Sequence, residues 1–221
     1  MMYIVQGAYH HLSINIAHQT YLGFSWNKCY YQFTVLPFGI SCASYIFTKV
    51  CSVLTKHWRK QGLNVLMYLD DGIAFASSRK EAFKIGAIIR EDIIKSGFLI
   101  AEEKSCWSPS QNVEWLGFTW NSLKYKVSVN EDKIEQLSKD LDSIIAKVND
   151  DKLIFKARHF ASLLGKIVST NFVTGGNTSL YTRYMNSCLN GRASWNACIK
   201  IDSKAFNEII FWRTSIKKVK R

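Results

Sequence analysis

The chain has 221 residues, 48% of them hydrophobic, which is enough for one large domain or two small ones with a packed core. This composition excludes a disordered protein, and no apolar run approaches the roughly 18 residues of a membrane span. The formal net charge of +12 at pH 7 suits a polyanionic partner, nucleic acid above all, although a solvated basic surface is the alternative interpretation.

The charge is unevenly distributed. Residues 1–120 contain 11 basic and 8 acidic side chains, whereas residues 121–221 contain 18 basic and 9 acidic ones. No aspartate or glutamate precedes Asp70.

The six cysteines form no CxxC pair, and the N-terminus has no signal-peptide pattern, so we expect reduced thiols, no zinc site and a cytoplasmic or nuclear protein.

In chain order, the first predicted helix covers residues 41–62. The next two segments, residues 63–69 and 72–76, have the length and apolar character of strands. Only Asp70 and Asp71 separate them, which predicts a hairpin with two acids at its turn.

A second helix is predicted from Ser78, which has capping-box spacing to Glu81, up to the C-cap position of Gly97. Strands follow at residues 113–120 and 124–129, as a hairpin around Asn121 and Ser122. Strands and helices alternate in this way up to residue 129. The pattern predicts an α+β domain in which one antiparallel sheet carries helices on one face.

Beyond residue 129 the pattern becomes helical. Apolar residues recur at helical spacing, in two runs: Ile134, Leu137, Leu141, Ile144, Ile145 and Val148, then Phe155, Phe160, Leu163, Leu164, Ile167 and Val168. Further helices are predicted near 178–190 and 201–214. We therefore expect two domains, an α+β domain at 1–129 and an all-helical, basic one at 130–221.

Asp70 and Asp71 interrupt an apolar run, and charged residues are rarely buried unless they are paired or bound to a metal, so these two acids are candidates for a functional site. The alternative is an ordinary solvated turn, since aspartate is common in turns. The surrounding sequence resembles reverse transcriptases, and the features of DIRS-type retroelements in particular. Five segments in the family's order carry the resemblance: GAYHHLSI (7–14), FTVLPFGISCASYIFTKV (33–50), YLDD (68–71), GFLIAEEKSCW (97–107) and EWLGFTW (114–120).

The resemblance implies a polymerase palm at 1–129 and a helical thumb or connection at 130–221. It also implies RNA-directed DNA polymerisation by two-metal nucleotidyl transfer, with Asp70 and Asp71 as ligands of Mg²⁺ or Mn²⁺. The family's first motif places a further aspartate where this chain has Ile4. An isoleucine offers no oxygen to a metal, so we expect weak metal binding and a nearly inactive, degenerate enzyme.

The family pattern also implies a nucleotide site. Tyr9 has the spacing of the aromatic under the incoming sugar, and Pro37, Phe38 and Gly39 form the turn near the base. Lys104 stands at the lysine that approaches the triphosphate. The alternatives are a core tyrosine, a core phenylalanine and a solvated lysine. Ser44, where the family often has proline, is a mild departure, and the pair His10 and His11 lacks zinc-site spacing.

The primer grip is predicted at Trp115, Leu116, Gly117 and Phe118, with a plain buried hairpin as the alternative. The basic second half supplies candidate contacts to template–primer phosphates: Lys133, Lys139, Lys147, Lys156, Arg158 and Lys166. The expected partners are an RNA template, a DNA primer and deoxynucleoside triphosphates, without a membrane. Because the family's fingers are missing upstream, the alternatives are a non-catalytic nucleic-acid-binding remnant and an active polymerase whose beginning lies elsewhere.

Overall fold

The computed structural model describes residues 1–149 and 153–216. Contacts within the chain divide it into two compact units, Met1–Leu116 and Gly117–Arg221. The prediction placed the boundary after residue 129, where the helical pattern begins. The assignment of the two parts to a palm and a thumb stays a prediction.

The first unit contains six strands and three helices. They are β1 (Met2–Ile4), α1 (Ile16–Gln19), β2 (Gly23–Trp26), β3 (Cys29–Gln32), α2 (Ala43–Lys60), β4 (Asn64–Tyr68), β5 (Asp71–Phe75), α3 (Arg79–Lys95) and β6 (Asn112–Trp115). The predicted helices at 41–62 and 78–97 and the predicted strands at 63–69 and 72–76 are confirmed.

The main sheet of this unit is antiparallel, in the order β1-β5-β4. Strand β5 is central and is buried over Gly72, Ile73 and Ala74. Residue 72 has to be glycine, because a Cβ atom there would lie 2.0 Å from the ring of the fully buried Tyr3. Tyr3 and the apolar stripes of α2 and α3 share one core, which includes Phe47, Trp58, Ile89 and Ile93.

Helix α3 begins as the capping pattern predicts, with one difference. The Ser78 hydroxyl accepts the Glu81 N–H at 3.2 Å. The Glu81 carboxylate accepts from the N–H and hydroxyl of Ser77, at 3.0 and 2.6 Å, one residue before the position that the capping box predicts. The helix is followed by Gly97 at φ +81°, the left-handed conformation that glycine adopts most readily.

Strands β2 and β3 form a separate two-stranded sheet that the sequence did not predict. Their turn residues, Asn27 and Lys28, both have positive φ, +50° and +63°. Positive φ at both central residues is the pattern of a type I′ turn, whose twist matches that of the flanking strands.

The second unit contains four strands and four helices in its described part. They are β7 (Phe118–Asn121), β8 (Lys126–Val129), α4 (Glu131–Asn149), β9 (Ile154–Lys156), α5 (Ala157–Val168), α6 (Arg183–Cys188), β10 (Cys198–Lys200) and α7 (Ser203–Ser215). A single core joins these helices, with Leu141, Phe160, Ile167, Met185 and Ile209 at its centre.

The mixed helix-and-sheet class is confirmed, but three details of the prediction are wrong. The strands up to residue 129 do not form one sheet, because β2 and β3 form a sheet of their own. Residues 113–120 do not form one strand, because positive φ at Leu116 and Gly117 interrupts it. The second half is not all-helical, because β9 pairs antiparallel with β10, with Phe155 opposite Ile199. Three-residue strands are too short to leave a periodic signal in the sequence.

In residues 1–149 and 153–216, no helix combines the length and the apolar character that crossing a membrane requires.

Candidate active site

The two aspartates occupy different positions in the β4–β5 hairpin. Tyr68 pairs with Asp71, so Leu69 and Asp70 form the turn and Asp71 is the first residue of β5. Leu69 has φ +53°, a conformation that is unfavourable for a residue other than glycine. Strained backbone of this kind is concentrated at functional sites.

Ile4 lies across the sheet from Asp71. The prediction placed Ile4 opposite Asp70, but the register pairs Ile4 with Asp71, and the N–H of Val5 donates to the Asp70 carbonyl at 2.9 Å. The N–H and C=O of Ile4 bond on the other side, to Ser105 Oγ and the Ala101 N–H. Ile4 and Asp71 are therefore a non-hydrogen-bonded pair, in which side chains are closest, with Cα atoms about 4.5 Å apart.

The environment of the aspartates affects two titrating groups. Partial burial raises the pKa of Asp71, and the charge of Asp70 raises it further. Burial also raises the pKa of the Cys51 thiol on α2 to about 12, again with a smaller contribution from Asp70. Cys51 therefore stays a neutral thiol, and a cation near Asp71 would favour the ionised form of this carboxyl group.

Glu102, Glu103 and Glu114 are the candidates for a third metal ligand beside Asp70 and Asp71. Within the described ranges, no three His, Cys, Asp or Glu side chains are grouped closely enough to hold a metal ion. Glu102 is engaged elsewhere, since its carboxylate accepts from Arg90 at 2.7 Å and from the Trp107 indole at 3.1 Å. All six cysteines are free thiols.

Two of the predicted nucleotide-site residues are in contact. The rings of Tyr9 and Phe38 have centroids 4.9 Å apart, and Tyr9 also packs at 5.4 Å on the buried Phe47. Phe38 is 63% exposed, whereas Pro37 is buried, and Gly39 has φ +92°. Tyr9 thus joins the core on one side and an exposed aromatic ring on the other.

Lys104 is exposed at the end of a separate 3₁₀ turn, Glu102–Lys104. His11 connects the first motif to the segment that precedes this turn. Its Nε2 accepts the Leu99 N–H at 3.1 Å, so its Nδ1 carries the proton that is donated to the Ala8 carbonyl at 3.2 Å. The sequence suggested only a surface or packing role for this histidine.

The predicted primer-grip residues lie on either side of the division between the units. In the first unit, Trp115 is buried and Leu116 has φ +50°. In the second, Gly117 has φ +77°, and Phe118 packs on Phe172 at 5.6 Å. A Cβ atom at Gly117 would lie 1.9 Å from Lys133 Nζ, so the glycine lets this lysine cross the backbone.

The other candidate phosphate contacts differ in how they are paired. Lys139 bonds to Glu135 at 2.7 Å, and Lys166 bonds to Asp140 at 2.5 Å. Lys147, Lys156 and Lys166 line a cavity of about 850 Å³ beside α4 and α5. The basic end of the chain, residues 217–221, lies outside the described residues.

Comparison with known proteins identifies the family. Residues 5–120 match the family model described as reverse transcriptase (RNA-dependent DNA polymerase). A search of curated proteins found no match. Among solved structures, the chain is similar to the foamy viral protease-reverse transcriptase in complex with an RNA/DNA hybrid, with a TM-score of 0.75 and 16% identity over 98% of this chain.

Two further structures of the foamy viral protein match at 16% identity, again over 98% of this chain. They are a dRH form in complex with double-stranded DNA, with a TM-score of 0.72, and a second double-stranded DNA complex, at 0.66. The chain spans only 27%, 35% and 41% of the three solved chains. These comparisons do not separate groups of retroelements, so the DIRS-type assignment stays a prediction. The match to the family model covers more than half of the sequence, and the chain belongs to the reverse transcriptase family.

Proposed function

We propose that this chain is the palm and thumb portion of a retroelement reverse transcriptase and is itself nearly inactive in polymerisation. The observation that carries the proposal is the pair formed by Ile4 and Asp71 across β1 and β5. The resemblance puts a metal-binding aspartate at position 4, and the register supports this by placing that position beside the YLDD turn.

The acids present fit one divalent ion, not two. Mg²⁺ is commonly held by one or two carboxylates together with substrate phosphates. Asp70 and Asp71 could provide the two carboxylates. The family reaction needs two ions, which clamp the attacking and leaving oxygens about 4 Å apart. The described part of the chain groups no third acid with these two. We therefore assign no catalytic step to a metal pair in this chain.

Substrate binding is proposed for the residues that the resemblance singles out. Tyr9 and Phe38, which are in contact, would lie along the sugar and base of a deoxynucleoside triphosphate, beside the turn at Pro37 and Gly39. Lys104, exposed on its 3₁₀ turn, would approach the triphosphate. The residues Trp115, Leu116, Gly117 and Phe118 would hold the primer end.

The proposed partners are an RNA template and a DNA primer. Two observations support them: the foamy viral relative is solved with an RNA/DNA hybrid, and residues 121–221 contain twice as many basic as acidic side chains, 18 against 9. Lysines near the primer-grip glycine and beside the α4–α5 cavity would contact phosphates, which fix position without reading sequence.

The test is to restore the acid at position 4. In Ile4→Asp, the new carboxylate faces Asp71 at close range, so without metal the melting temperature should fall through like-charge repulsion. Added Mn²⁺ or Mg²⁺ should restore it, and calorimetry should detect tighter metal binding than in the unchanged chain. Ile4→Asn, in which the new side chain has the size of aspartate but no charge, is the matched control. It shares the loss of the isoleucine side chain, so its melting temperature should fall less than that of Ile4→Asp and should not respond to metal.

Primer extension on an RNA template completes the test. The unchanged chain should extend a DNA primer several orders of magnitude more slowly than an active family member, as expected when one member of a catalytic unit is absent. A fusion of Ile4→Asp to a fingers segment from a related element should extend the primer, and the same fusion of the unchanged chain should not. Efficient extension by the unchanged chain would overturn the inactivity, and duplex binding without extension in any variant would favour a non-catalytic binding role.

A further inference from the structure

The hairpin of β2 and β3 takes no part in the proposed active site, yet it exposes several large aromatic side chains. Phe24 pairs with Tyr31, and Trp26 pairs with Cys29, so these side chains share one face of the hairpin. We call Phe24, Trp26 and Tyr31 the aromatic face. Their exposed fractions are 44%, 73% and 48%, values that ordinary core residues do not have.

Two of the three rings of the aromatic face, those of Phe24 and Tyr31, are held in position. Phe24 and Tyr31 stack with centroids 5.4 Å apart and planes at 22°, and Phe33 supports Phe24 at 5.0 Å. The type I′ turn at Asn27 and Lys28 fixes the register. Flat rings that are already oriented lose little conformational freedom when another ring stacks on them.

The charge around the hairpin favours an anionic occupant. Lys28 is exposed at its tip, and residues 1–69 contain no carboxylate at all. Single-stranded nucleic acid combines negative charge with flat, largely apolar rings. The bases of a duplex are stacked inside it and are not accessible to the aromatic face, so the ligand that fits is a nucleic acid with unpaired bases. Base–aromatic stacking is tolerant of sequence, as template binding requires.

We propose that the aromatic face stacks the unpaired bases of a single-stranded stretch of the template. This inference deepens the proposed function and rests on it, because it presupposes that the chain binds a template–primer duplex. The proposed occupant of the aromatic face is nucleic acid. The alternative occupant is a second copy of the chain, and the experiment below distinguishes the two.

The test compares two fluorescein-labelled RNA–DNA duplexes by anisotropy. One is blunt, and the other carries an unpaired RNA extension of about six nucleotides, within the site sizes of single-strand-binding proteins. The double variant Trp26→Ala/Tyr31→Ala removes most of the aromatic face. Tyr30→Ala is the matched control, because Tyr30 lies on the opposite face and is 91% exposed.

The unchanged chain should bind the extended duplex about tenfold more tightly than the blunt one, as expected for the stacking of one or two bases. The double variant should lose this difference and keep its affinity for the blunt duplex, and Tyr30→Ala should behave like the unchanged chain. Circular dichroism checks that each variant folds. Trp26→Leu keeps an apolar side chain without the ring and is a second variant, for which we also expect the preference for the extended duplex to be lost.

Equal, salt-dependent binding of the two duplexes by the unchanged chain would overturn this inference alone. Binding of neither duplex would overturn the proposed function with it. An equal loss in Tyr30→Ala would also contradict a role specific to the aromatic face. The inference would also fail if analytical ultracentrifugation showed that the unchanged chain is a dimer and the double variant a monomer, while both bind the extended duplex with the same affinity. A second copy of the chain would then be the occupant of the aromatic face.

Discussion

Asp71 is the side chain whose ionisation most directly links the proposed site to folding. Its pKa is raised first by burial and then by the charge of Asp70. A carboxyl group with a raised pKa binds its proton more tightly in the folded chain, so its ionisation opposes folding. The penalty is absent below the unfolded pKa of about 3.9, and it develops as pH rises through the higher folded value.

Asp71→Asn should therefore leave the melting temperature at pH 7 unchanged or raise it, because the amide cannot ionise. Near pH 4 the difference between the variant and the unchanged chain should shrink. Thermal melts monitored by circular dichroism at both pH values measure the effect. Asp70→Asn is the informative companion and should remove only part of the pH dependence, because the Asp70 charge is the smaller cause.

A lower melting temperature for Asp71→Asn at pH 7 would mean that the carboxylate stabilises the fold, contrary to a purely functional role. The sequence alone could not predict the raised pKa of Asp71, because it depends on Asp71 being the first, partly buried residue of a strand while Asp70 lies in the turn.

Helix α6 owes its start to a side chain from another helix. Its N-cap residue, Thr182, makes no side-chain cap. Instead, the buried Glu208 of α7 accepts the N–H groups of Tyr184 and Met185, at 3.1 and 2.8 Å. A carboxylate at a helix N-terminus satisfies free N–H groups and interacts favourably with the helix dipole.

Glu208→Ala should destabilise the chain by about 2 to 3 kcal/mol, because it leaves one buried and one partly buried N–H group without an acceptor. Glu208→Gln is the matched control, since it keeps one oxygen acceptor, and its loss should be clearly smaller. Urea unfolding followed by circular dichroism gives both values. Equal losses for the two variants would show that the charge, not the hydrogen bonds, holds α6 to α7.

The elements that the sequence predicted are those with a strong local signal. Helices α2 and α3 have long apolar stripes and clear end signals, and the β4–β5 hairpin has two apolar runs. Strands β9 and β10 have three residues each and are held by contacts distant in sequence, so nothing local marks them. The β2–β3 hairpin could have been found, since Phe24 and Trp26 alternate before an Asn27–Lys28 turn.

The sequence identified two candidate site residues that are in contact in the structure, but it could not fix the register of the sheet beside them. Motif order brought out Tyr9 and Phe38, whose rings are in contact. The pairing of Ile4 with Asp71 instead of Asp70 depends on one residue of strand register, which only the structure fixes. The close approach of Lys133 to the backbone at Gly117 was also not predictable from the sequence, because the two positions are 16 residues apart and the contact depends on the fold.

Taken over the whole chain, charge separates the two proposed modes of contact with nucleic acid. Residues 1–69 have no acid and carry the exposed aromatic face, whereas residues 121–221 carry the larger basic excess. Stacking depends weakly on salt, but phosphate contacts release counterions and depend on it strongly. The two modes can therefore be separated by salt concentration.

Affinity for a blunt RNA–DNA duplex should fall steeply between about 50 and about 200 mM salt, with a linear dependence of log affinity on log salt. Lys147→Ala/Lys156→Ala, which removes two lysines beside the α4–α5 cavity, should weaken binding and reduce the slope by about two. Lys139→Ala should have a smaller effect, because Glu135 already compensates this charge. Fluorescence anisotropy titrations at several salt concentrations measure each slope. A flat salt response in the unchanged chain would exclude phosphate-directed binding, and equal slopes for all three proteins would place the contacts on other lysines.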